Sequence, residues 1–258
     1  MNADIARRPS PEEEELATKR SELALLQAEL AERELCLANL RAELSPFEGR
    51  YLREVGVLYA ELDDWRAKIA QLIAEEEGTV EARAAASEAR AQAEESDSAA
   101  HSEAARATDF TPSPELKKLY RDVAKRVHPD LATDKADRAQ RERWMADANR
   151  AYQEGNVDVL RRILDEYESS PESVQGAGVA ADLVRVIRQI NQLHKRLVEI
   201  ELEIASVVGS DSAKLKVKAD NMSEQGRNVL EEMAQDVRKR IDIERRRFEE
   251  FFARKRNT

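Results

Sequence analysis

Ser113-Pro114-Glu115-Leu116-Lys117-Lys118-Leu119-Tyr120-Arg121-Asp122-Val123-Ala124-Lys125-Arg126-Val127-His128-Pro129-Asp130 is the run on which the fold turns. Ser113 is placed to cap a helix, Pro114 suits its first position, and Glu115 sits favourably in the first turn. At about 100° per residue, Leu116, Leu119, Tyr120, Val123 and Val127 share one arc. Lys117, Lys118, Arg121 and Lys125 share the opposite side, with Glu115 and Asp122 at its edge. Pro129 stops the helix, because the residue before a proline avoids the helical region. His128 and Asp130 are thereby expected at a helix-to-loop corner.

Beyond the corner, Leu131 to Lys135 read as a short polar loop, and a second helix is expected from about Asp137 to Glu154. Met145, Ala148 and Tyr152, with Trp144 alongside, form its apolar stripe. Gly155 suits the residue just past its C-terminus, and Asn156 can cap a last helix bearing Val157, Leu160, Ile163, Leu164 and Tyr167. Two antiparallel helices and a short third can bury one small core.

This arrangement resembles the J-domain family, co-chaperone modules that act on DnaK-type ATPase chaperones. The likeness rests on the basic helix ending in His128-Pro129-Asp130, on Tyr120 and Ala124 upstream of it, and on Met145, Ala148, Ala151 and Tyr152 in the return helix. Leu160-Arg161-Arg162 and Asp165-Glu166-Tyr167 are similar to the family's last helix, so the likeness covers Phe110 to Glu168. The usual opening helix with a Tyr-x-x-Leu pattern is absent, and Phe110 with Thr111-Pro112-Ser113-Pro114 stands in its place. Asp122 occupies a position that is often basic in the family. The resemblance implies that Lys117, Lys118, Arg121 and Lys125 dock on an acidic surface of the chaperone. His128, Pro129 and Asp130 would then bias that partner toward ATP hydrolysis.

The chain carries 42 Lys+Arg against 52 Asp+Glu, so a cationic helix face stands out against an acidic background and suits an acidic partner. A nucleic-acid partner is not expected, since the neighbouring helices are acidic and no aromatic residues interleave with the basic ones. An enzyme is not expected either. No nucleophile pattern or glycine loop accompanies His128, and Asp130 is poorly placed to bond the imidazole. His101, His128 and His194 are scattered and Cys36 is the single cysteine, so no metal or other cofactor is implied. Absence of a secretory signal or an apolar span of ~20 residues argues against a membrane partner and for the cytoplasm.

Charged residues make up 36%, and glycines number only 8, a composition of long helices. Leu16, Leu23, Leu30, Leu37 and Leu44 recur at heptad spacing, joined by Leu26, Leu40 and Phe47. From Tyr51 the stripe runs through Val55, Leu58, Leu62, Trp65, Ile69 and Leu72, and at Pro46 a kink in one helix is expected, with a capping box over Ser45-Pro46-Phe47-Glu48 starting a new helix as the alternative. Val186, Ile190, Leu193, Leu197, Ile200, Ile204 and Val207 repeat the signature. Gly209-Ser210-Asp211-Ser212 reads as a turn before a final helix with Leu230, Met233, Val237, Ile241 and Phe248.

The expected fold is all-α, with a small J-domain-like helical module between long N- and C-terminal coiled-coil helices. Residues 1–10 are expected to be disordered, 11–78 an N-terminal coiled-coil arm, and 79–109 an Ala/Glu/Ser-rich linker. The module occupies 110–168, a second linker 169–178, and a C-terminal helical hairpin or coiled-coil arm 179–258. The arms are expected to form an antiparallel bundle from which the module projects, with a homodimer as the alternative. The expected partners are a DnaK-type chaperone and a client or assembly held by the arms. The competing expectation is a coiled-coil scaffold whose J-like module docks without stimulating ATP hydrolysis.

Overall fold

The computed structural model describes residues 10–102, 110–132, 135–168 and 178–256, and among them the chain is all-α, without a strand. Most of residues 1–10 and of the linker 169–178 lie outside the described residues. No described helix is long and apolar enough to cross a membrane.

The first helix, α1, runs Pro11–Tyr51. Its start is a capping box: Glu13 N–H donates to Ser10 Oγ at 3.3 Å, and Ser10 N–H donates back to Glu13 Oε2 at 2.6 Å. The helix is continuous through Pro46. A π-turn over Leu52–Gly56 follows, and α2 occupies Val57–Glu77. The apolar spacing explains the turn. The stripe steps four residues twice in succession at Phe47, Tyr51 and Val55, and a π-turn absorbs one extra residue.

Two compact units organise the chain. In one, α1 up to Glu43 packs with α4 (Pro114–Val127), α5 (Lys135–Gln153), α6 (Val157–Glu168) and α7 (Val179–Gly209). Within it α1 is two-faced. Leu16, Leu26 and Leu30 meet Val186, Ile190 and Leu193 of α7, while Ala31, Leu35, Ala38 and Ala42 meet the core of α4, α5 and α6. The module therefore does not project. Alanines at three of four positions let a neighbouring helix seat closely on α1, and that second stripe is too small to stand out as a seam.

The pairing of α1 with α7 is parallel, not antiparallel. Arg20–Asp182, Glu34–Arg196 and Arg41–Glu203 are each separated by 162 residues, so both helices advance together. Matching arm lengths fit either direction. The order of charges along the two helices selects this one.

The other unit holds the end of α1, α2, α3 (Val80–Ala100), α8 (Asp211–Ser223) and α9 (Val229–Arg256). Most of the stretch expected as a linker is the helix α3, packed on α2. Gly78, at φ +67°, ends α2, and Thr79 Oγ1 caps α3 by accepting from Ala82 N–H at 3.1 Å. The buried or half-buried residues of α3 are Ala82, Ala86, Ala89, Ala93, Ser96 and Ala100, a heptad seam of small side chains facing Ala60, Ala67 and Ala74 of α2. Ser96 Oγ bonds Asp63 at 2.8 Å, which fixes the antiparallel register. The stretch between Gly209 and Leu230, expected as a turn and the start of one helix, contains α8, capped by Ser210, and a break at Gly226 with φ +74°. Leu62 packs with Val237 and Ile241, and Trp65 meets Phe248 edge-on at 5.5 Å.

Candidate functional site

The local sequence builds the His128 corner much as its chemistry requires. Ser113 Oγ accepts from Leu116 N–H at 3.1 Å, and Pro114 starts α4. Leu116, Tyr120, Val123 and Val127 are buried, and Leu119 is partly so, packed on the same cluster as Met145, Ala148 and Tyr152. Tyr120 donates to Asn149 at 2.5 Å, and its ring lies 4.7 Å from that of Tyr152, so α5 returns antiparallel to α4. Burial pushes both phenols up, Tyr152 to about 12. Gly155 closes α5 at φ +71°, with Asn156 N–H donating to Ala151 at 2.8 Å. Phe110 packs on this core at Gly155.

At the corner, His128 is extended (φ −58°, ψ 136°), as a residue before proline must be, and Pro129–Leu131 form a single 3₁₀ turn. Asp130 N–H donates to His128 Nδ1 at 3.2 Å. That bond assigns the ring proton to Nε2. The Asp130 carboxylate stands 3.6 Å from Nδ1, so it is the backbone of Asp130 and not its side chain that holds the ring.

The imidazole is only 4% exposed. Its Nε2–H donates to Glu34 Oε1 of α1 at 3.2 Å. Glu34 is 5% exposed, and the same oxygen accepts from Arg196 Nε at 3.1 Å and Nη2 at 2.8 Å. Arg196 continues the chain to Glu203 at 2.6 Å, and Arg41 reaches Glu203 at 3.1 Å. Burial by itself would raise the Glu34 carboxyl, but the bond from His128 and the Arg196 charge together hold it below its ordinary value. Arg196 is pushed up, burial opposing and Glu34 and Glu203 prevailing. Gln189 of α7 donates to the Leu131 carbonyl at 2.9 Å, and Leu131 packs among Leu26, Leu30, Val186 and Ile190. Two helices from distant parts of the chain thus grip the corner.

A cleft of about 260 Å³ opens beside it, bordered by Glu34, His128, Arg138, Asn149 and Arg196. Both ring nitrogens of His128 are engaged, so neither is free to take a proton from a substrate in this arrangement. Among the described residues no group of three or more His, Cys, Asp or Glu side chains could hold a metal ion.

The four expected docking cations of α4 are divided. Lys118 and Lys125 are exposed and make no ion pair among the described residues, and Lys117 is half-buried. Arg121 is bound to Glu32 of α1 at 2.9 Å. Pro129 and Asp130 are half-exposed beside the buried His128, and Asp130 faces Arg138 at 3.7 Å. Sequence reasoning missed Glu32, Glu34, Gln189 and Arg196. Nothing marks one carboxylate out of 52 as the partner of a histidine 94 positions away.

Comparison with protein-family models, with curated proteins and with solved structures finds no match for this chain.

Proposed function

We propose that this chain is a J-domain-type co-chaperone: it docks on a DnaK-type chaperone through the cations of α4 and stimulates ATP hydrolysis through His128-Pro129-Asp130, while the arms target a client or assembly. The observation that carries the reading is the corner itself, a capped cationic helix ended by this tripeptide with α5 returning antiparallel on its apolar face. Lys118 and Lys125, exposed and without an ion pair among the described residues, suit an acidic partner and would raise its association rate. The chain itself supplies no reacting group; its action is by contact.

A second reading, a coiled-coil scaffold with a non-stimulating J-like module, is favoured by one observation: His128 is buried on Glu34. Single-turnover ATP hydrolysis by the chaperone separates the two. The co-chaperone accelerates it, His128→Gln abolishes the acceleration, and Lys118→Glu with Lys125→Glu weakens it in a salt-dependent way. Equal rates with the wild type, with a Glu34→Ala variant and with His128→Gln would leave the scaffold reading.

A further inference from the structure

Two carboxylates of α1 occupy the residues that the proposed function needs. Glu34 holds the His128 imidazole at 3.2 Å, and Glu32 holds Arg121 at 2.9 Å. An acidic face on the chaperone would have to make these same two kinds of contact. The α1 contacts are backed from behind. Arg196 of α7 grips Glu34 with two nitrogens, Gln189 holds the Leu131 carbonyl, and Leu131 is sunk in the α1–α7 seam. Three side chains from α1 and α7 therefore fasten the corner, and one more covers a docking cation.

We infer that α1 is an intramolecular stand-in for the chaperone's acidic surface, and that Glu34, braced by Arg196, latches His128 out of reach. The inference rests on the co-chaperone reading for its consequence, but the latch itself does not. In the latched state the tripeptide cannot act. Releasing it requires the corner to leave Glu34 and the Leu131 side chain to leave the seam. Availability of His128 is then tied to the state of the α1–α7 pair, so a ligand of the arms that separates them would switch the module on. The apparent affinity of the chaperone falls by the fraction of molecules that are open.

The chain provides its own internal standard, since it has 3 histidines and the other two, His101 and His194, are exposed. Diethyl pyrocarbonate modification of each, followed by peptide mass spectrometry, reads the latch without any chaperone. In the full-length wild type, His101 and His194 are expected to react while His128 resists. In Glu34→Ala, His128 is expected to react roughly tenfold faster or more, because a buried charged partner has been removed. The chaperone concentration for half-maximal ATPase stimulation should fall by a similar factor.

Glu34→Gln keeps the side-chain size and removes the charge, so it provides a second arm, with helix content checked by circular dichroism. Acceleration of His128 modification in either folded variant supports the latch. Modification of wild-type His128 as fast as the two exposed histidines, or no acceleration in either folded variant, overturns it. Fast modification in Glu34→Ala without ATPase stimulation leaves the latch standing and removes the co-chaperone reading instead.

Discussion

Replacement of Gly155 by alanine tests how Phe110 closes the α4–α5–α6 core. Gly155 sits at φ +71°, where an L residue is disfavoured by about 1–2 kcal/mol. A Cβ there would also stand 2.6 Å from Phe110 Cε2 and 3.0 Å from its Cζ. The ring is the far end of a flexible side chain and can retreat, but doing so gives up part of its burial on the α4–α5–α6 core, about 1 kcal/mol. The expected loss is therefore roughly 2–3 kcal/mol. Two controls isolate the contact. Gly78 and Gly226 have φ of +67° and +74° with nothing within 4 Å of a built Cβ, so alanine there should cost only the backbone part. In Phe110→Ala the ring is already absent, so adding Gly155→Ala should again cost only the backbone part, a coupling of about 1 kcal/mol. The 2 tryptophans lie one in each unit, so a Trp65→Phe background leaves Trp144 to report urea unfolding of the unit that contains Gly155, and a Trp144→Phe background leaves Trp65 to report the unit that contains Gly78 and Gly226. A Gly155→Ala loss no larger than that of Gly78→Ala, or a loss unchanged by Phe110→Ala, would refute the account.

Three further outcomes are expected. Tyr152→Phe removes a 2.6 Å bond to Asn39 of α1 and should lower stability by about 1 kcal/mol, read as a shift in the urea midpoint. Glu34 has a folded-state carboxyl held below 4.5, so its contribution is full above that pH and is lost as the pH falls through the depressed folded value. Glu34→Gln should thus flatten the acid limb of the stability profile, and an unchanged limb would show that the His128–Glu34–Arg196 network carries no such linkage. Ala93→Leu places a large side chain in the small-residue seam between α3 and α2 and should cost about 1–3 kcal/mol, visible as a lowered melting temperature, whereas the exposed Ala85→Leu should be close to neutral.

The helices α4 and α5 and their boundaries were legible because capping and periodicity are local. Ser113 and Gly155 each stand at a helix boundary with the geometry their residue type demands. The module core was equally legible, since Leu116, Tyr120, Val123, Val127, Met145, Ala148 and Tyr152 follow the helical period and are buried together. What escaped was carried by small or polar residues. The alanines of α3 and of the second face of α1 form seams without hydrophobic bulk, so neither stood out against an Ala-rich background.

The corner divides along the same line. That a cationic helix ends at His128, and that Pro129 bends the chain there, follows from the sequence alone, because capping, helical periodicity and the proline restriction act within a few residues. Which way His128 faces does not. Its burial on Glu34 depends on α1 and α7 running parallel in a register of 162 residues, which brings a glutamate 94 positions away and Arg196 to one point. Such meetings are set by the sum of many side-chain contacts along two long helices, and only the folded chain decides them.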